Sequence, residues 1–302
     1  MARRKKLPLG EKAFRAVNGF LMALIIVIML YPFWYCIIVS FNDSGDFLRG
    51  PLYLWPRKFT LENYGFVLSS KLIWVAIRNS LLRTVLGTVL HCVFTGAAAY
   101  GLSKKELIFR KFYAAVFVVT MYFGGGMIPT YLLFRDLKLI DNFLVYIIPT
   151  MWSFYNAILF MAYYESIPDS LEESAKIDGA SVVTVFFRII FPSSLPIYAT
   201  IALFSIVGQW NSWYDTMIYT KSDNLITLQS MMAKIIQMQE NMKKMLEMMS
   251  KQSGMSGVKL ANMSPTTVRV ATMVITTFPI VVVYPFFQKY FVKGIMLGAV
   301  KG

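Results

Sequence analysis

The chain has 302 residues, 57% of them hydrophobic and 15% charged, with a formal net charge of +14. Soluble domains carry about 25% charged residues, so the composition excludes an ordinary soluble domain and predicts an integral membrane protein. The basic excess does not indicate nucleic-acid binding. Basic residues cluster at the ends of apolar runs, where they anchor topology, and no basic helix with interleaved aromatics, RNP-type motif or zinc spacing occurs.

Catalytic and metal sites are not expected. The two cysteines, Cys36 and Cys92, fall inside predicted spans and indicate neither a disulfide framework nor a metal site. The sole histidine, His91, excludes a multi-histidine metal centre, and a packed or hydrogen-bonded core role is favoured over a proton relay. The sequence lacks a P-loop, so the chain does not bind ATP in that manner.

A window of about 20 residues finds about six candidate membrane spans. They cover residues 20–41, 75–102, 112–134, 143–164, 197–219 and 268–287. The short basic loop 104–111 indicates the cytoplasmic side. An even number of spans then places both termini in the cytoplasm, as expected for a multi-pass membrane protein.

A single membrane domain over 1–302 is predicted. Its polar parts are a cytoplasmic tail (1–18), a cytoplasmic loop (164–196), an extracytoplasmic loop (221–267) and a C-terminal tail (288–302). Residues 225–250 of the long loop favour an amphipathic, methionine-rich helix. That helix could lie on the membrane, on a partner or on the protein's own spans.

Two features inside the spans have two interpretations each. The Gly124-Gly125-Gly126 triplet, followed by Pro129, predicts either a broken helix that lines a cavity or close helix packing. Arg83 lies in the second span, where its charge either snorkels outward or pairs within the bundle.

The polar segment 165–196 interrupts the apolar runs and is expected to face a soluble partner. A first helix is predicted with Pro168 in its first turn and a capping box. Asp169 or Ser170 would cap it, with Glu172 or Glu173 as the reciprocal partner, and Gly179 would end it. A second helix over 182–191 would rest an apolar face on the bundle, formed by Val182, Val185, Phe186, Ile189 and Ile190.

The end of the fifth span combines amides with aromatic rings. Gln209, Trp210, Asn211 and Asp215 are predicted to line a substrate path, because sugar hydroxyls need paired donors and acceptors and sugar faces need apolar platforms. An interfacial aromatic belt is the alternative explanation.

The segment 165–196 also resembles the cytoplasmic signature of bacterial ABC-importer permeases, E-A-A, three residues, G, nine residues, I, one residue, L-P. Glu173-Ser174-Ala175, Gly179, Ile189 and Pro192 have that spacing, with Ser174 and Phe191 as departures. Asp178-Gly179-Ala180 matches the usual D-G-A of this signature.

The rest of the chain is similar to the carbohydrate branch of these permeases, the MalG-like subunits. Asn79-Ser80-Leu81, Trp210-Asn211 and Gln288-Lys289-Tyr290-Phe291-Val292-Lys293-Gly294 carry this likeness. The methionine-rich insertion resembles an LplC- and YtcP-like subgroup. The resemblance implies an all-α, type I (MetI/MalG-like) importer fold and import of a carbohydrate, specifically an oligosaccharide.

The resemblance also implies partners and roles. A homologous second permease would complete the path through the lipid bilayer, and two ATPase subunits, or a homodimer of one, would use ATP and Mg²⁺. This chain would hold no cofactor. A periplasmic or extracellular lipid-anchored binding protein would deliver substrate. The implied ATPase-coupling residues are Glu173, Ala175, Asp178, Gly179 and Ala180, and the implied binding-protein contact loop is Ser253, Gly254, Met255, Ser256 and Gly257. A permease for another solute, or a polytopic enzyme, is the alternative.

Overall fold

A computed structural model describes residues 8–253 and 265–299. These residues form helices and no β-strand, apart from an isolated antiparallel bridge between Asn42 and Phe59. The all-α fold class predicted from the sequence is therefore confirmed. The helices up to the middle of the chain are α1 (Leu9–Ser40), α2 (Ser44–Phe47), α3 (Glu62–Ser69), α4 (Lys71–Ser103), α5 (Arg110–Tyr122) and α6 (Met127–Asp136).

The second half continues with short helices and irregular turns. Two 3₁₀ turns, Phe143–Tyr146 and Ile148–Thr150, precede α7 (Phe154–Tyr164), α8 (Asp169–Ile177) and α9 (Val182–Val185). A π-helical turn, Phe186–Ile190, joins α9 to α10 (Phe191–Ser193). The last elements are α11 (Leu195–Asn211), α12 (Tyr214–Tyr219), a 3₁₀ turn at Asp223–Leu225, α13 (Leu228–Ser253) and α14 (Pro265–Ala299).

The described chain divides into two compact units. The first contains the described residues within 1–69 and 238–275, and the second those within 70–237 and 276–302. In the first unit, the Asn63 amide donates to the Ser40 and Asn42 carbonyls, each at 2.9 Å. The Ser44 hydroxyl contacts Asn63 and Thr267. A buried side chain therefore organises the loop that follows α1.

Helix α4 lies at the centre of the second unit, packed against α11 and α7. Two glycines make the approach of α11 possible. A Cβ at Gly96 would lie 2.2 Å from the Tyr198 hydroxyl, and one at Gly87 would lie 2.4 Å from Nε2 of Gln209. The Tyr198 hydroxyl is in turn 3.0 Å from the hydroxyl of Tyr164, which donates to the Gly96 carbonyl. The close contact between α4 and α11 therefore depends on the lack of a side chain at Gly87 and Gly96.

The predicted spans correspond to helices of unequal regularity. Residues Gly10–Ser40 and Lys71–Ser103 are long and apolar enough to cross a membrane, and three bent helix pairs would pass the same test if each pair is counted as one span. The apolar part of α14, Thr266–Val282, is shorter. The membrane character predicted from composition is confirmed, whereas the count of six spans stays a prediction.

The third span is broken at its glycine triplet. Helices α5 and α6 meet at 113°, and Gly126 adopts a positive φ of 84°. A Cβ on Gly124 or Gly126 would meet nothing within 4 Å. The break in the helix is therefore confirmed, and close packing against these glycines is not what the triplet provides. That the break lines a cavity stays a prediction.

Two spans predicted as continuous were wrong in detail. The fourth begins with the two 3₁₀ turns, bent by 45° from α7, and the fifth ends at Asn211 before a separate α12. The turn between α6 and the first 3₁₀ turn has positive φ at Lys138 and Asp141. The Asp141 carboxylate accepts bonds from the Ser222 hydroxyl and from the backbone N–H groups of Ser222 and Lys221, which lower its pKa.

The methionine-rich helix begins against the protein's own spans. Leu228 and Met232 are buried, and the Leu228 N–H donates to the Ser80 hydroxyl at 2.9 Å. Membrane, partner and the protein's own spans were the three surfaces predicted for this helix. Its first turns pack on the spans, while Met238 is exposed.

Gly96→Ala is expected to lower the free energy of unfolding by about 1–3 kcal/mol, because the methyl group would overlap a buried, hydrogen-bonded tyrosine. Gly101→Ala on the same helix is the control, since a Cβ there meets nothing within 4 Å. Thermal unfolding of the purified protein in detergent measures both. Equal stability of the two variants would contradict this view of the α4–α11 contact.

Candidate functional site

The cytoplasmic segment predicted from the polar residues 165–196 forms two short helices. Helix α8 begins at Asp169, with Pro168 as its N-cap and without a side-chain capping bond. The predicted capping box is therefore wrong. The fixed φ of Pro168 starts the helix, and Glu172 pairs with Lys104 instead. Ser181 caps the second helix by accepting from the Thr184 N–H at 3.2 Å.

Helix α8 ends in a Schellman motif that requires Gly179. The Ala180 N–H donates to the Ala175 carbonyl at 2.9 Å, and the Gly179 N–H to the Lys176 carbonyl at 3.0 Å. Gly179 has a φ of +80°, where glycine carries no Cβ penalty. Ala175 and Ala180, which this motif links, both pack on the apolar core cluster. The predicted stop at Gly179 is confirmed.

The two faces of α8 differ in chemistry. Ala175 and Glu172 lie towards the protein. Glu173, about 100° away around the helix, is exposed, and so is Ile177 one turn later, with 86% of its surface accessible. Ser170 and Ser174 are small neighbours on this outer face. An exposed apolar side chain among small residues is suited to docking on another protein.

The second helix supplies the contact with the bundle. Val185, Phe186 and Ile190 are buried in the same core cluster as Tyr100 and Tyr198, and Ile189 packs against it. Val182 was wrongly assigned to this face, since 63% of its surface is exposed. The π-helical turn that starts at Phe186 adds a residue to the turn and alters the register predicted from a 3.6-residue repeat.

Three ion pairs connect the basic loop 104–111 to the segment that carries α8, and we call them the ionic clasp. Lys104 binds Glu172, Lys105 binds Asp169 at 3.5 Å, and Arg110 binds Glu165 at 2.5 Å. Tyr100 strengthens the first pair: its hydroxyl donates to Glu172 and its ring lies 4.2 Å from the Lys104 ammonium. Polar side chains of both segments line a cleft of about 360 Å³.

From the sequence, the basic loop 104–111 is predicted to mark topology alone, and the ionic clasp is not predicted. The opposite charges of 104–110 and 165–172 could have indicated it, because both segments were placed on the cytoplasmic side.

Inside the bundle, five polar residues of α4 hold irregular backbone, and we call them the polar stripe. Asn79 donates to the Asn224 and Ile226 carbonyls, Ser80 accepts from the first N–H of α13, and Arg83 donates to the Ser212 carbonyl. His91 contacts the Thr150 carbonyl, and Thr95 donates to that of Met151. Asn79, Arg83, His91 and Thr95 are four or eight residues apart and Ser80 adjoins Asn79, so all five lie on one half of the helix circumference.

Arg83 is the charged member of the polar stripe, and 1% of its surface is accessible. Its guanidinium binds the Asp215 carboxylate at 2.5 and 3.1 Å and the Gln209 side-chain oxygen at 3.1 and 3.2 Å. Its Cζ lies 4.5 Å from the centre of the Tyr146 ring. Of the two interpretations of Arg83, pairing within the bundle is confirmed.

The amide of Gln209 connects this pair to the 3₁₀ turns. Its Nε2 donates to the Thr150 hydroxyl at 2.7 Å, and Nδ1 of His91 lies 2.7 Å from the Thr150 carbonyl oxygen. Nε2 of His91 lies 2.8 Å from the Asn156 amide nitrogen. His91 is thus the hydrogen-bonded core residue that the sequence predicted.

The four residues predicted to line a substrate path do not all lie together. Gln209 lines an open polar cavity of about 230 Å³, whose other residues include Arg83, His91 and Asn156. Asp215 contributes indirectly, through Arg83. Trp210 is buried and donates to the Thr276 carbonyl at 3.0 Å, and Asn211 accepts from Gln229. The predicted contact loop Ser253–Gly257 lies outside the described residues after Ser253.

Comparison with known proteins identifies the architecture. Residues 9–297 match the family described as binding-protein-dependent transport system inner membrane component. The chain belongs to this family. The family consists of transport permeases, so the chain is a membrane transport subunit and not an enzyme, as predicted.

Relatives support the carbohydrate branch. The chain is 36% identical over 294 residues to the Bacillus subtilis polygalacturonan/rhamnogalacturonan transport system permease protein YtcP, covering 95% of this chain and 97% of that protein. It is 33% identical over 293 residues to Bacillus subtilis protein LplC, covering 96% of each. The resemblance to the LplC- and YtcP-like subgroup is confirmed.

A solved structure has the same fold. It is a chain from a bacterial ABC transporter involved in the import of the acidic polysaccharide alginate. The TM-score is 0.82 and the identity 30%, with 95% of this chain and 99% of that chain covered.

Asp215→Asn is expected to destabilise the protein by about 3–5 kcal/mol, because the buried Arg83 guanidinium loses its counter-charge. Asp136→Asn is the control: Asp136 pairs with Arg135 at 2.9 Å, but both side chains are more than half exposed, so a change of about 0–1 kcal/mol is expected. Thermal unfolding in detergent distinguishes them. A similar small shift for both variants would contradict a structural role for the Arg83–Asp215 pair.

Proposed function

We propose that this permease imports oligosaccharides that contain uronic acid residues. The similarity to a polygalacturonan/rhamnogalacturonan permease over 95% of the chain carries the proposal. The likeness to an alginate importer supports it independently, because that substrate is also an acidic polysaccharide. Galacturonate and the sugars of alginate share a carboxylate and several hydroxyls, and these groups define the substrate class.

The chain forms the translocation path together with a second, homologous permease. Two ATPase subunits, or a homodimer of one, supply the energy by hydrolysing ATP with Mg²⁺, and a periplasmic or lipid-anchored extracellular binding protein delivers the oligosaccharide. Both termini and α8 face the cytoplasm in this arrangement. The family description, which names a binding-protein-dependent system, supports the external partner.

Helix α8 couples this chain to an ATPase. Its outer face presents Ile177 among small residues, with Glu173 and Asp178 available for polar contacts and Gly179 permitting close approach of the turn. Its inner face is fixed to the bundle by Ala175, Ala180 and the ionic clasp. A helix held in this way moves with α4 and α7 as a rigid body, and such movement of attached spans alternates access.

The substrate class is tested by uptake in cells that express the whole importer. Labelled oligogalacturonides should accumulate in an ATP-dependent manner. Unlabelled acidic oligosaccharides should inhibit this uptake more strongly than neutral maltodextrins of equal length. Uptake of neutral oligosaccharides alone would replace the acidic substrate class with a neutral one. Uptake of a non-sugar solute and no oligosaccharide would overturn the function.

Ile177→Asp tests the coupling surface separately. A carboxylate in place of an exposed docking side chain should reduce sugar-stimulated ATP hydrolysis and uptake at least about tenfold, because a desolvated charge without a partner opposes association. The permease itself should stay folded, since Ile177 is exposed. Ile108→Asp is the control, a 74%-exposed isoleucine of the basic loop. Normal uptake by the Ile177 variant would exclude this docking surface.

A further inference from the structure

The open polar cavity of about 230 Å³ contains groups that the Arg83 network does not use. It lies among α4, the 3₁₀ turns, α7 and α11, and we call it the transit cavity. It is lined by Arg83, His91, Thr150, Asn156, Phe204, Ser205, Gly208, Gln209 and Ser212. Arg83 and Gln209 are engaged with each other and with Asp215 and Thr150. His91, Thr150 and Ser212 are also hydrogen-bonded within the protein, which leaves Asn156 and Ser205 as the polar lining residues to consider.

Hydrogen-bond chemistry fixes what Asn156 offers. The Thr150 carbonyl can only accept, so Nδ1 of His91, 2.7 Å away, must carry a proton. In the neutral imidazole Nε2 is then an acceptor, and the Asn156 group 2.8 Å from it must be the NH₂. The Asn156 side-chain oxygen is left as an acceptor at the cavity, without a protein partner in the described part of the chain.

Three further residues of α11 complete the lining. Ser205 is half-buried, and its hydroxyl makes no hydrogen bond to the described residues. Phe204, 40% exposed, and Gly208 form the open edge of the cavity. A free acceptor, a free hydroxyl and an aromatic ring within one cavity are the groups that recognise a sugar.

We propose that the transit cavity is where this subunit contacts a single sugar unit during transport. The Asn156 side-chain oxygen accepts a bond from a sugar hydroxyl, the Ser205 hydroxyl bonds a second polar group, and the Phe204 ring faces the apolar side of the sugar. This inference rests on the proposed import of acidic oligosaccharides and adds the contact residues.

The size of the cavity fits this role. Pockets for drug-sized ligands have volumes of about 300–1,000 Å³, so a smaller, open cavity holds one sugar unit and leaves the rest of the chain outside. A path must also bind weakly enough to release. Two neutral hydrogen bonds and one ring contact provide selectivity without tight retention.

Charge at Ser205 tests contact with an acidic sugar. Ser205→Asp and Ser205→Asn introduce side chains of the same size, and only the first carries a charge. Uptake of oligogalacturonide and of its methyl ester, which lacks the carboxylates, is measured for both variants in the whole importer. Asp should lower the acid-to-ester uptake ratio about fivefold or more through like-charge repulsion, whereas Asn should leave that ratio unchanged. Equal ratios for both variants would overturn the proposal.

Accessibility provides a second measurement that does not depend on the charge of the sugar. The chain has two cysteines, Cys36 and Cys92, so Ser205→Cys can be placed in a background with both replaced by alanine. A charged thiol reagent should label it, and transported oligosaccharide should slow the labelling. Thr88→Cys is the control, because Thr88 lines a separate, apolar cavity. Labelling of Ser205→Cys no faster than that control, or unaffected by sugar, would overturn the proposal.

Asn156→Leu removes the acceptor, together with the amide that donates to His91. It should lower the maximum uptake rate about threefold to tenfold, in line with the loss of one hydrogen bond, without changing the external concentration for half-maximal uptake, which the binding protein sets. Thr88→Val should keep the full rate. If the wild-type importer takes up no oligosaccharide, the proposed function fails and this inference with it. If the wild type transports while the Asn156 variant matches the control, only this inference fails.

Discussion

The need to satisfy backbone hydrogen bonds away from water governs this structure. Irregular backbone is tolerated at membrane depth only where protein groups or a water-filled cavity supply the missing partners. The second unit contains such backbone at the 3₁₀ turns, at the break after Asn211 and at the start of α13. The polar stripe of α4 bonds to all three. Helix α4 therefore stabilises the bends in the segments packed against it, and the transit cavity lies among these bent segments.

Two sets of contacts hold two different surfaces in place. Outside the bundle, the Schellman turn at Gly179 and the ionic clasp fix α8 to the bundle and leave Ile177 exposed. Within the bundle, the Arg83–Asp215 pair holds the break between α11 and α12 and leaves Asn156 and Ser205 at the cavity. At α8 and in the bundle alike, charged groups stabilise the local backbone conformation. The residues exposed beside them are the ones that we propose to contact partners.

The sequence was most informative at positions where the residue type restricts the local backbone structure. Gly179 and the spacing from Glu173 to Pro192 predicted a helix stop and a family, whereas the glycine triplet left a broken helix and close packing both open. Hydropathy could not predict the 3₁₀ turns or the break after Asn211, because those segments are as apolar as the helices beside them. The partners of Arg83 lie about 130 residues away, and without tertiary structure neither the polar stripe nor the free groups of Asn156 and Ser205 could be recognised.

The position of α4 in the chain has a consequence for biogenesis. Its polar stripe bonds to residues 150, 151, 212, 224, 226 and 228, all of which are synthesised after it. When these irregular segments leave the ribosome and enter the bilayer, the donors and acceptors they require are already there. A helix with a buried arginine is costly to insert alone, and in return it serves as a template for the segments that follow.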